Sequence, residues 1–200
     1  MNFFDLTELQ LDALKEISNI GAGNAATALS SLLNKSIDME VPLVRILDIE
    51  EVYKNLNLEE IVIAALIESK GEIQGQILFL FKEDTALDII KQLTGIESRD
   101  IDEMGESVIC EIGNIISGTY MNAISSFTGL KMITGVPAIS YDIAGAVIPS
   151  MFLEVLEDAD KILEIKAILK SNKEKNLAAD FYYLPSEESL EKIFKSIGLI

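Results

Sequence analysis

The sequence predicts an α+β fold with pseudo-twofold symmetry, in which two long helices pack on a largely antiparallel sheet. Three observations carry that expectation. Sliding the 200-residue chain along itself by 95 residues lays Glu16-Ile17-Ser18-Asn19-Ile20 on Glu111-Ile112-Gly113-Asn114-Ile115. The same shift pairs Gly23 with Gly118, Ala28 with Ala123, Ser30-Ser31 with Ser125-Ser126 and Pro42 with Pro137. Half of the sixteen positions from Glu16 to Ser31 are identical to their shifted counterparts, which marks a duplicated unit. Helical and strand-like periodicities also follow one another in the same order in both halves. Finally, 49% of the residues are hydrophobic, enough for one large core. The chain therefore reads as one domain, 1–200, made of two repeats at about 7–95 and 102–198.

In the first repeat, Thr7 with Gln10 reads as a capping box opening a helix to about Asn34. An extended stretch over 37–47 follows, then a short helical piece near 50–55. Residues 60–68 and 73–81 look like strands joined by a tight Lys70-Gly71 turn. A helix from about Asp84 to Leu93 stops at Gly95. The second repeat has a long helix over about 102–128 and an extended stretch over 130–139. A helix from about Asp142 leads to strands at 162–169 and 177–184, and Ser186 caps a last helix ending at Gly198. Alternating Leu163, Ile165, Ala167 and Leu169 put one sheet face on a core.

Composition narrows the function. A net charge of −17 repels nucleic acid and anionic lipid, and favours a partner with a cationic face. There is no His, so triads with a His base and most zinc sites are excluded. The lone Cys110 cannot form an internal disulfide and reads as a small buried hydrophobe in a reducing compartment. Asp5 and Glu8 interrupt the apolar start, unlike a signal peptide. The longest uncharged run, 112–130, is interspersed with polar residues, unlike a membrane span. A soluble, cytoplasmic, acidic protein is expected.

Helical geometry sorts the two long helices into faces. Asp12, Glu16, Asn19 and Gly23 share one stripe of the first helix, and Leu14, Ile17, Gly21, Ala25, Ala28 and Leu32 the opposite one. In the second, Ser107, Glu111, Asn114 and Gly118 oppose Ile109, Ile112, Ile116, Tyr120, Ala123 and Phe127. A single Glu-x-x-Asn on an exposed face is ordinarily just solvated. Here Asn and Gly, both poor helix formers, recur on the same face in both copies, while the core stripe has drifted from Gly21 to Ile116 and from Ala25 to Tyr120. Glu is an anion able to grip a cationic side chain, and Asn has a donor and an acceptor with which to orient a water. The sequence offers no nucleophile–base pair, metal-ligand cluster or phosphate-cradling loop. The small residues Gly21-Ala22-Gly23 read as permitting close approach of another backbone.

These residues resemble a known family. Asp or Ser, three residues, Glu, two residues, Asn, twenty-two residues, Pro is the pattern of the CheC/CheX/FliY chemotaxis phosphatases. Asp12, Glu16, Asn19 and Pro42 fit it, and so do Ser107, Glu111, Asn114 and Pro137. The resemblance covers essentially the whole chain, including its duplicated layout, and implies a single CheC-like domain. It implies hydrolysis of the aspartyl phosphate of the response regulator CheY, with Asn19 and Asn114 aligning the attacking water and Glu16 and Glu111 pairing with the regulator's active-site Lys. No cofactor of its own is implied; Mg²⁺ is expected in the active site of CheY. Asp12 and Ser107 would have a helix-supporting or peripheral role. Pro42 and Pro137 read as structural, setting where the chain leaves the helix and enters its strand.

The segment 141–146 also resembles the part of such proteins that docks CheD, a receptor glutamine deamidase, with Asp142 as the contact; helix capping by Asp142 explains that residue equally well. Expected partners are thus phosphorylated CheY and CheD, with no nucleic acid and no membrane insertion. The competing class is a non-catalytic adaptor that binds phosphorylated CheY or regulates CheD. A flagellar-switch role is disfavoured because the chain has no room for a rotor domain.

Overall fold

The computed structural model describes residues 6–48, 57–156, 161–171 and 179–200, together with Glu51 and Lys54. In chain order the elements are α1 (Glu8–Leu33), β1 (Ile37–Asp48), β2 (Ile61–Gly71), β3 (Gly75–Lys82), α2 (Glu83–Thr94), α3 (Glu103–Thr128), β4 (Met132–Thr134), β5 (Ala138–Ile143), α4 (Ala144–Leu156), β6 (Lys161–Ser171), β7 (Ala179–Pro185) and α5 (Glu187–Ser196). The expected helical piece near 50–55 lies largely outside the described residues, as does the start of the expected strand at Leu177.

Local chemistry sets the helix ends. Thr7 and Gln10 form the capping box, the Gln10 amide N–H donating to Thr7 Oγ1 at 3.3 Å and the Thr7 N–H to Gln10 Oε1 at 2.9 Å. Asp102 Oδ1 accepts from the Gly105 N–H at 2.9 Å to open α3, and Ser186 Oγ from the Ser189 N–H at 3.3 Å to open α5. Asn34, Gly95 and Gly129 end α1, α2 and α3 in the left-handed conformation.

The described strands pair antiparallel in the order β1-β6-β7-β3-β2-β4, with β5 also on β2. The first strand of each half pairs with the hairpin of the other: β1 with β6, and β5 with β2. The central pair, β3 with β7, joins the halves along Leu78–Tyr182 and Phe79–Phe181. Both faces of the central strands are buried, more than the single covered face that alternation suggests. Ile63, Ala65, Ile67, Phe79, Phe181 and Tyr183 join the core beneath α1, α2, α3 and α5. Val62, Ala64, Leu78, Leu80, Tyr182 and Leu184 pack with Ala144, Val147 and Ile148 of α4 on the other side. The molecule is a helix–sheet–helix sandwich with the long helices on one face.

Several boundaries differ from expectation. Lys70 and Gly71 are not a turn: β2 runs past its last pair with β3, Ser69–Gly75, to pair Lys70 with Ile133 and Gly71 with Met132 of β4. A strand distant in sequence, β4, supplies the hydrogen bonds that local sequence could not reveal. The stretch 130–139 is two strands, interrupted at 135–137. Asp142 does not start a helix; it pairs with Val62 inside β5, and α4 begins at Ala144. Pro42 and Pro137 lie beyond the helix–strand junctions. Pro42 is within β1, where the register shifts between Glu40 and Leu43, and Pro137 falls in the gap between β4 and β5. Lacking an N–H, proline is accommodated where a ladder is irregular. Cys110 is half-buried rather than buried; burial first, and then Glu106, push its thiol pKa up.

Candidate functional site

Of the predicted core stripes, Leu14, Ile17, Gly21 and Ala25 of α1 and Ile109, Ile112, Ile116, Tyr120 and Ala123 of α3 are buried. The expected core stripe fails at its C-terminal ends. Ala28 is half-buried and Leu32 and Phe127 are exposed, because the covered line passes instead through Leu29 and Leu33, and through Ile124 and Thr128.

The two helices meet through an unequal pair. Tyr120 is fully buried, its ring centroid 4.8 Å from that of Phe181, and its hydroxyl donates to Ser18 Oγ at 2.9 Å. Gly21 makes room for it: a Cβ there would lie 2.4 Å from Tyr120 Cδ2. Close approach at Gly21 is thus to an aromatic ring, not to a backbone. Gly23 is different, with nothing among the described residues within 4 Å of where its Cβ would be, and Gly118 is equally open.

This contrast divides the repeated identities. Ile17 and Ile112 are core. Ser30 and Ser125 latch each helix to the chain that follows it, Ser30 Oγ donating to Ile37 O at 3.2 Å and Ser125 Oγ to Leu130 O. Glu16, Asn19, Glu111 and Asn114 are exposed, and their side chains make no hydrogen bond or ion pair with any described residue. Gly23 and Gly118 each cost about 1 kcal/mol of helix propensity against Ala without filling a steric need inside the fold. Folding accounts for the first group and not for the second.

Asp12 and Ser107 are exposed on the same stripes, one turn before the Glu, and Ser107 Oγ donates back to Glu103 O at 2.9 Å. Pro137 is buried beside Gly113, under the turn that carries Asn114. Five antiparallel steps separate β1 from β5 in the sheet, so those strands run in opposite directions. Each long helix leads within a few residues into a strand of its own half, α1 into β1 and α3 into β4. Both helices are acidic: α3 holds Glu103, Glu106 and Glu111 with no basic residue, and α1 has Lys15 as its one base. Glu and Asn one turn apart on such a face suit a cationic group and a water on an incoming protein, not an enclosed substrate.

Asp142 is far from this chemistry in sequence and in element. It is exposed on β5, its Oδ1 accepting from the Ile143 N–H at 2.7 Å, so it caps no helix. Neighbouring Tyr141 donates to Glu83; that bond, then burial, pushes its phenol pKa up to about 12. Among the described residues no group of three or more His, Cys, Asp or Glu is placed to hold a metal ion, and no helix is long and apolar enough to cross a membrane.

Two residues escaped the sequence reading. Leu9 is 65% exposed and Met104 54% exposed, and they occupy equivalent positions under the 95-residue shift. Their spacing of seven from Glu16 and Glu111 was the available signal.

Comparison with known proteins gives the same two segments. The CheC-like family matches residues 9–46 and 104–141, which are 95 residues apart. The chain is 32% identical over 203 residues to the CheY-P phosphatase CheC of Bacillus subtilis, covering 98% of this chain and 97% of that one. It is 28% identical over 132 residues to the flagellar motor switch phosphatase FliY of the same organism, covering 64% of this chain and 34% of the relative. In three dimensions it resembles the crystal structure of Thermotoga maritima FliY, with a TM-score of 0.80 at 20% identity, covering 96% of this chain and 98% of that one.

Proposed function

The chain belongs to the CheC-like family, and from that premise we propose that it is a cytoplasmic phosphatase that hydrolyses the aspartyl phosphate of the chemotaxis response regulator CheY. One observation supports this most directly. Two Glu/Asn pairs, repeated at 95 residues, stand exposed on acidic helices with nothing in the described fold to hold them. In this reading Asn19 or Asn114 enters the regulator's active site, accepts a hydrogen bond from a water and holds it in line with the phosphorus–carboxylate bond. The water oxygen bonds to phosphorus, the bond to the aspartyl oxygen breaks, and inorganic phosphate leaves a regenerated carboxylate. Glu16 or Glu111 pairs with the regulator's active-site Lys, and Mg²⁺ belongs to the regulator. Asp12 and Ser107 support the helix, and the two repeats form one domain with a site on each. The chain's resemblance to the CheD-docking segment makes CheD a second partner, contacted at Asp142.

The test is the decay of radiolabelled phosphorylated CheY with Mg²⁺, with the wild-type protein and with the Asn19→Ala/Asn114→Ala variant. Wild-type protein should accelerate decay, and the double variant should not, while retaining binding. Equal acceleration by both would overturn the role of the amides. Binding without acceleration by either would instead make the protein a phospho-regulator adaptor.

A further inference from the structure

Leu9, Glu16 and Gly23 are spaced by sevens, as are Met104, Glu111 and Gly118. Seven residues at about 100° each come within about 20° of two full turns, so each triad forms one nearly straight row. The row spans fourteen residues, roughly 21 Å at the helix rise. Both rows have the same order: a large apolar residue, the Glu, then a glycine. The apolar members are more than half exposed, and both glycines face open space. Gly23 also borders an open cleft of about 580 Å³ between α1 and the start of β1.

We propose that these rows are the docking tracks for the regulator, with Leu9 and Met104 as apolar anchors at one end and Gly23 and Gly118 as points of close backbone approach at the other. The proposal rests on the phosphatase reading, and names the residues beyond Glu and Asn that set the pose of the partner. Anchored 10 residues to one side of each Asn and 4 to the other, the helix cannot slide along the regulator, and the carboxamide is held at one depth. The occupant is one protein surface offering an apolar patch, a cation for the Glu and an exposed segment of backbone. The acidic character of α1 and α3 favours that cation and disfavours an acidic peptide. A helical methyl at Gly23 or Gly118 meets nothing among the described residues, so the obstruction it offers is to an incoming partner.

The experiment measures affinity for CheY held in its active form by beryllium fluoride and Mg²⁺, alongside thermal stability. Gly23→Ala/Gly118→Ala should melt about 4 °C higher, because alanine favours the helix, and yet bind at least tenfold more weakly. Leu9→Ala/Met104→Ala should also bind at least fivefold more weakly, and Leu9→Met/Met104→Leu should bind like wild type. Wild-type affinity in the glycine variant overturns the proposal, and so does absence of binding by the wild-type protein. The two readings fail separately. Weakened binding in a protein that never accelerates dephosphorylation leaves the docking rows standing and removes the phosphatase. Full catalysis with unchanged affinity does the reverse.

Discussion

The two halves differ in how their long helices pack against each other and agree in the Glu, Asn and Gly that face outward. In the interior, Gly21 faces Tyr120 while their counterparts under the repeat are Ile116 and Ala25, so bulk has moved from one helix to the other. After each long helix, Val41 lies within β1 and is 3% exposed, whereas its counterpart Val136 lies in the gap between β4 and β5 and is 89% exposed. Residue β1 positions continue through a register shift to pair with β6, whereas the corresponding stretch of the second half breaks into β4 and β5 on β2. On the outer face, by contrast, Glu, Asn and Gly are identical. A packed interior needs only that summed volume and shape be kept, so paired changes are tolerated there. An exposed side chain without an internal partner is under no such packing constraint, and its persistence in both halves points outside the chain.

That comparison is open to direct challenge. The largest expected effect is from Tyr120→Ala, which removes a fully buried ring and its hydrogen bond to Ser18, and should cost about 3–5 kcal/mol in chemical denaturation. The equivalent truncation at Ala25 does not exist, so this cost belongs to one half alone. Gly21→Ala should cost about 1–3 kcal/mol through overpacking against the same ring, although alanine is the better helix former. A stabilised Gly21→Ala protein would mean that the ring has somewhere else to go. The smallest effect belongs to the outer face. Asn19→Ala and Asn114→Ala, taken singly, should leave stability unchanged or slightly raised, and each should lower the rate of CheY dephosphorylation about twofold if the sites are equivalent, a difference of roughly 0.4 kcal/mol. Unequal losses would measure how far the divergence of the strands has reached the sites.

The candidate site was legible because its signals are local. Glu16 and Asn19 are one turn apart, the capping box at Thr7 sets the start of their helix, and the 95-residue shift repeats both on α3. The exposed face followed from helical period alone. Less legible was everything that depends on a distant partner. Lys70-Gly71 has turn chemistry, but β4 pairs with it and keeps it in the strand. Asp142 looks like a helix cap, but Val62 holds it in β5. Leu32 and Phe127 fit a core stripe and stay exposed, since whether a side chain is buried depends on what lies over it.

Sequence by itself determined the duplication pattern, the two long helices with their caps, and the polar stripe on each, because these depend on bonds and spacings within a few residues. Only the tertiary structure decided that the first strand of each half pairs with the hairpin of the other, that α4 covers the second face of the sheet, and which glycine is packed and which is open. Gly21 and Gly23 stand two residues apart in one helix. A turn of about 200° sends one under Tyr120 and the other into open space, and no local property of glycine distinguishes them.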